Sequence, residues 1–314
     1  MRTARFLSTL ASLPQHRALS SMPPPPIPRF LIVDFDGTCT VQETTALLPH
    51  LAATLGPAHL ASSKLATFAS LEQQYVAGLA ALTPPRDAPA PARASLDQRA
   101  LAAYLQRMDD HSTAVTRRVS DSRCLAHLDA SAVPSLLARW AAAPHAAPLP
   151  PPRLREGCVR ALSALGSRGC SLGVLSINWC APLIRAVLAE LRLPFDLWCN
   201  ELCADGTILL PVAGAAQKRE VIAALVARAA GEGAVVYVGD SATDLLAMLE
   251  ADVGILIGES SSARRVARNF GVAIVPLPAS LDECAVATRG TVFEASSWDD
   301  VHRCLVGVEL SSKY

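Results

Sequence analysis

Asp34 and Asp36 close the apolar run Phe30-Leu31-Ile32-Val33, with Phe35 between them, and Gly37-Thr38 follows. A short run of this kind ending at a Gly turn reads as a strand buried on both faces of a parallel sheet. Ligands bind at the C-terminal ends of such strands. Two residues apart on a regular strand, the carboxylates point to the same side. Like charges that close raise one pKa unless a cation neutralises them, so the pair suggests a metal site, an acid/base pair, or both. Ser176 closes a second apolar run, Leu172-Gly173-Val174-Leu175, where a hydroxyl and the turn N–H groups can hold an anionic oxygen. Lys218 stands at a predicted helix start, which also favours anions. Asp240 and Asp244 follow Val235-Val236-Tyr237-Val238. One lies on the strand end and one on the first helical turn, so both can face one cation. Hard oxygen ligands suit Mg²⁺. Beside a cation and a lysine, a carboxylate can attack phosphorus, and a second carboxyl can move the leaving group's proton.

The elements that must position these groups alternate after residue 153. Helices are predicted at 154–168, 180–191, 216–230, 243–250 and 261–269, and strands at 170–175, 195–203, 207–210, 235–238, 253–257 and 272–275. Asp205-Gly206 is a two-residue hairpin signal. This is the pattern of an α/β fold, a doubly wound, mostly parallel, Rossmann-like sheet. Residues 280–314 are less defined, apart from a short helix near 301–306. Residues 44–152 are helical instead, with apolar residues at three- and four-residue spacing such as Leu71, Tyr75, Leu79 and Leu82. Pro-rich segments at 84–91 and 144–152 interrupt and end this stretch. It reads as an all-helical cap inserted into a core of residues 30–43 and 153–314, able to hinge over the strand ends.

With 314 residues, 51% of them apolar, the chain can bury a large core, and its net charge of zero argues against nucleic acid as a partner. No apolar run reaches the roughly 18 residues of a membrane span, so no membrane partner is expected. Nine scattered cysteines suit buried thiols better than a disulfide framework. Residues 1–29 carry Arg2, Arg5, Arg17 and Arg29 and no acid, which predicts a transit peptide followed by the Pro23–Pro26 spacer. Import into a mitochondrion or plastid is the expectation; a cytoplasmic tail is the alternative.

The motifs D-F-D-G-T at 34–38, apolar-S at 176, K at 218 and G-D-S-x-x-D at 239–244 resemble those of the haloacid dehalogenase superfamily in type, order and position. That resemblance implies the superfamily's core with a C1-type helical cap. It makes Asp34 the nucleophile and Asp36 the general acid/base. Ser176 and Lys218 would hold the phosphoryl group. Asp34, Asp36 through its backbone carbonyl, Asp240 and Asp244 would hold Mg²⁺. Glu43, Ile177 and Asn178 would face the substrate, a small phosphate monoester, in a monomer or homodimer. Over 172–277 the chain also resembles the plant phosphatase domain that hydrolyses thiamine monophosphate, with Leu175-Ser176-Ile177-Asn178-Trp179-Cys180 and Leu249-Glu250-Ala251-Asp252-Val253-Gly254-Ile255. The likeness is weakest in the cap, the part that selects the substrate. Other small metabolites, phosphoserine among them, or a silent ligand-binding role, are the alternatives.

Overall fold

The computed structural model describes residues 27–83, 96–285 and 290–307. The N-terminal transit-peptide reading, the Pro23–Pro26 spacer and the Pro-rich break at 84–91 lie outside those residues.

Phe30–Val33 (β1) is wholly buried, and the reason is its place at the centre of a sheet. It pairs in parallel with Ser171–Leu175 (β2) on one side and with Val235–Gly239 (β6) on the other. Beyond β2 lies Asp196–Trp198 (β3). Beyond β6 come Val253–Ile257 (β7), Thr291–Ala295 (β9) and Ala273–Pro276 (β8), giving the order β3-β2-β1-β6-β7-β9-β8 with every pairing parallel. The period-two alternation of β1 decides what covers the sheet. Phe30 and Ile32 enter one apolar cluster with Ile222 and Leu245, while Leu31 and Val33 enter another with Leu162 and Trp298. Helices therefore lie on both faces. Cys158–Ser167 (α5) and Trp298–Val306 (α11) cover one, and Ala215–Ala229 (α7), Leu245–Glu250 (α8) and Ser261–Asn269 (α9) cover the other. Ala181–Val187 (α6) and Leu281–Ala285 (α10) complete this part.

Between β1 and β2 run Leu48–Leu55 (α1), Ala61–Leu82 (α2), Gln98–Ser122 (α3) and Val133–Ala142 (α4). Their apolar faces are continuous with the core: on α3, Leu101 and Leu105 join one cluster, and Val115 and Val119 the other. The two chain segments entering and leaving this helical region run side by side. Val41 N–H donates to Arg153 at 2.9 Å and Arg155 N–H to Cys39 at 2.7 Å, around a bridge between Thr40 and Leu154.

Two expectations change. The strand predicted over 195–203 is broken into β3 and Glu201–Leu202 (β4), which pairs only with Ile208–Leu209 (β5) around Gly206. Asn200 accounts for the break: its side chain bonds Ile177 O and Val212 N at 2.8 and 2.9 Å, leading the chain out of the main sheet. The ill-defined C-terminal stretch supplies β9 and a helix that begins at Trp298, held by a Ser297–Asp300 capping box. No helix among the described residues is long and apolar enough to cross a membrane.

Candidate active site

β1 stops at Val33, and the chain then turns over the sheet edge. Asp34 N–H donates to Val238 O at 2.9 Å, which fixes its carboxylate above the β1–β6 seam. Gly37 takes φ +72°, and a Cβ there would stand 2.4 Å from the Asp240 carboxylate. Only glycine allows the loop both that backbone and that approach. Thr38 donates to Asp240 at 2.9 Å. From below, Trp298 donates to the Thr38 carbonyl at 2.9 Å, and Arg155 donates to that of Gly37 at 2.6 Å. The Cys39 thiol donates to the Asp34 carbonyl at 3.2 Å, a packing role beneath the site.

Lys218 is fully buried at the start of α7, and its ammonium lies 2.7 Å from Asp244 and 3.1 Å from Asp34. Burial works against the charge, but Asp244 and then Asp34 outweigh it and hold the lysine protonated. Asp244 is saturated. One oxygen accepts from Lys218 and from Tyr237 at 2.6 Å, and the other from the Ser241 N–H and hydroxyl at 2.9 and 2.7 Å. Burial opposes its ionisation, yet Lys218 and these bonds bring its pKa below the ordinary carboxylate value. Asp34 is the reverse. Its Oδ1 touches the lysine without hydrogen-bond geometry and has no hydrogen-bond partner among the described residues. Burial raises its pKa well above normal, and Asp244 and Asp240 add to that. Asp240 is pushed up to about 6, first by burial and then by Asp244. Oxygens of Asp34, Asp240 and Asp244 lie within 4.8 Å of one another. An orphaned buried oxygen inside a cluster of three acids is short of one positive charge, and a hard divalent cation fits that donor set.

Asp36 is held differently from its neighbour. Its carboxylate accepts from Thr44 N–H and from the Asn178 side chain, both at 2.8 Å. Burial raises its pKa, and these bonds partly offset the rise. Asn178 also donates to Thr44 at 3.0 Å and accepts from Cys180 N–H, so its buried amide is spent on orienting Asp36 and is not presented to a ligand. Ser176, at the end of β2, is buried with its Oγ accepting from Asn178 N–H at 3.1 Å.

Asp34, Asp36, Ser176, Ile177 and Asp240 form the floor of a cavity of about 550 Å³. Its roof is Glu43 with Phe68, Leu71 and Tyr75 of α2 and Met108, Val115 and Val119 of α3. Glu43 is open to the cavity, but crowding within it, and then the charges of Asp36 and Asp240, push its carboxyl up to about 7. Lys218 and Asp244 sit beneath the floor, behind Asp34. The structure thus brings together Asp34, Asp36, Glu43, Ser176, Ile177, Lys218, Asp240 and Asp244. Thr38, Arg155, Tyr237 and Trp298 were not singled out in the sequence. Tyr237 carried a signal, a phenol inside an apolar strand; Arg155 and Trp298 carried none.

Four separate stretches of chain therefore deliver two acid pairs, a hydroxyl and a lysine to the C-terminal edge of one parallel sheet, with a helical insertion above. The fold is α/β, a doubly wound parallel sheet with a helical insertion after its central strand. No family model matches the chain. The chain is 26% identical over 318 aligned positions to a protein of Arabidopsis thaliana described as "Bifunctional TH2 protein, mitochondrial", covering 88% of this chain and 49% of that one. It thus spans about half the length of the curated relative it matches. Among solved structures, it is similar to a phospho-aspartyl intermediate analogue of phosphoserine phosphatase, at 15% identity and TM-score 0.48, covering 88% and 98% of the two chains. A Bordetella pertussis protein of unknown function gives 13% identity and TM-score 0.49, covering 78% and 97%.

Proposed function

We propose that this haloacid-dehalogenase-type protein is a Mg²⁺-dependent phosphomonoesterase that works through an aspartyl-phosphate on Asp34. The observation that carries the reading is Asp34 itself, on the cavity floor with one carboxylate oxygen 3.1 Å from the buried Lys218 ammonium and clustered with Asp240 and Asp244. Asp34, the Asp36 carbonyl and Asp240 would hold the cation, with Asp244 aiding through water, and the cation when bound supplies charge neutralisation between the carboxylates and the incoming phosphoryl group. Asp34 attacks phosphorus and the bond from phosphorus to the ester oxygen breaks. Asp36, its acid form favoured by burial, gives its proton to that oxygen. Asp36 then takes a proton from water, the water oxygen attacks phosphorus, and the bond to Asp34 breaks to release phosphate. Ser176 steadies the phosphoryl oxygens, and the Lys218 ammonium, behind Asp34, offsets their charge.

Thiamine monophosphate is the proposed substrate. The relative's name, the motif likeness over 172–277, the roomy aromatic roof and the acidic Glu43 facing it support a large, cationic leaving group. Organelle import through residues 1–29 is part of the same proposal, since the relative is described as mitochondrial. The test is Mg²⁺-dependent phosphate release from thiamine monophosphate, thiamine diphosphate, phosphoserine, nucleoside monophosphates and phenyl phosphate. A preference for thiamine monophosphate is expected. Turnover of phenyl phosphate alone would keep the mechanism and remove the substrate; no turnover by folded protein with Mg²⁺ would remove both.

A further inference from the structure

Two hydrogen-bond donors on the cavity wall take no part in the chemistry above. Arg265 lies on the second turn of α9, which follows β7, one strand farther out than the strand carrying Asp240. Its neighbour Arg264 turns away and pairs with Glu294 at 2.8 Å. Arg265 lines the cavity instead; its Nε is buried, and the guanidinium has no hydrogen-bond or ion-pair partner among the described residues. Tyr104 of α3 is 4% exposed and packs on Phe270, the residue that caps α9, with ring centroids 5.3 Å apart. Its hydroxyl is also buried without a partner, and the residue lines the same cavity.

A buried donor left unmet costs on the order of 1–3 kcal/mol. Two of them on one void mark a place where a ligand supplies acceptors. The phosphoryl group does not need them, because Lys218 and the acid cluster already serve it one strand away. The other cavity-lining charges are acidic, Asp34, Asp36, Glu43, Glu72 and Asp240, so Arg265 is the one cation in the wall among the described residues. Phe68, Tyr75 and Trp179 add flat apolar surface. A guanidinium and a phenol in the wall of an aromatic-lined space suit a flat ring with acceptor atoms on its edge.

We propose that Arg265 and Tyr104 form a recognition subsite for the non-phosphate end of the substrate, an aromatic nitrogen heterocycle whose ring nitrogens or carbonyl oxygen accept their hydrogen bonds. This rests on the reading of the cavity as a phosphomonoester site, and the experiment separates the two.

The full chain and its Arg265→Met, Arg265→Lys and Tyr104→Phe variants would be titrated calorimetrically with two phosphate-free probes, thiamine and cytidine. The same proteins would be assayed with thiamine monophosphate, phenyl phosphate and phosphoserine, and thermal melts would confirm folding. Arg265→Met should weaken binding of at least one heterocycle about 10- to 100-fold, and Tyr104→Phe about 3- to 10-fold, with Arg265→Lys partly restoring it. The ratio of kcat/KM for thiamine monophosphate to that for phenyl phosphate should fall to match, through KM and not kcat. Equal losses on phenyl phosphate would overturn the proposal by assigning Arg265 to the phosphoryl group. A loss confined to phosphoserine would overturn it in favour of a carboxylate. Unchanged heterocycle binding would overturn it outright. Failure of the wild type to turn over any ester would sink the phosphatase reading, while heterocycle binding would still decide the subsite.

Discussion

The floor and the roof of the cavity are built on opposite principles. On the floor, nearly every polar atom is committed: Asp244 accepts four hydrogen bonds, Asp36 two, and Gly37 admits Asp240 where no side chain would fit. The exception, Asp34 Oδ1, belongs to the carboxylate proposed to react. On the roof, Phe68, Leu71, Met108, Val115 and Val119 define a shape and few directions. A saturated polar network specifies one geometry, whereas an apolar wall tolerates exchange of side chains of similar volume. On the proposed function, reaction type would rest on the floor and substrate choice on the roof.

The sharpest test of that division is Asp34→Asn, which should lower kcat by more than about 1,000-fold. Because the carboxylate it replaces is disfavoured by burial, the melting temperature should hold or rise, as a thermal scan would show. Asp36→Asn should follow, with a loss on the order of 100- to 10,000-fold that shrinks for esters with good leaving groups, since the proton given to the leaving oxygen is what is removed. Asp244→Ala should strike the floor as structure: leaving Lys218 buried beside only Asp34 costs about 3–5 kcal/mol in chemical unfolding. If that variant keeps wild-type stability, the floor is not the tight network described. Phe68→Leu in the roof should alter KM for bulky esters a few-fold and leave phenyl phosphate kinetics nearly untouched; a large kcat effect would erase the contrast.

The last effect is one of pH at the joint between the regions. Asp109 of α3 accepts from Ala215 N–H at 2.9 Å, tying the roof to the first turn of α7. Burial pushes its carboxyl up to about 6. A raised folded-state pKa means the folded protein holds the proton more tightly than the unfolded chain. The stability it confers is full below about 4 and is lost as pH rises through 6, by about 3 kcal/mol. Asp109→Asn should flatten that segment of the stability–pH curve.

Much of the floor was legible because its signals are local. β1, β6 and β7 read as apolar runs, and Asp34, Asp36, Asp240 and Asp244 stand at their ends. Local spacing misled at Asp36, where the strand had already ended and Asn178, from 142 residues away, sets the carboxylate's direction. Arg155 and Trp298 were invisible for the same reason, since each acts on a backbone carbonyl more than 100 residues distant. β9 lies in a stretch too short and mixed to be told from a loop until its neighbours flank it. In the roof, helical periodicity announced α2 and α3, but which of their apolar residues meet a ligand depends on how the helices settle on the core.

The Trp298–Thr38 contact also says something about biosynthesis. The central strand and the loop after it emerge before every other strand of the main sheet, yet β1 waits for residue 171 on one side and 235 on the other, and its loop waits for an indole 260 positions later. Domains fold as units during synthesis at about 5–20 residues per second, so the platform beneath Asp34 is incomplete for at least about ten seconds after its own residues have emerged. A nascent chain arrested before residue 298 should lack a formed site even with Asp34, Asp36, Lys218, Asp240 and Asp244 already made.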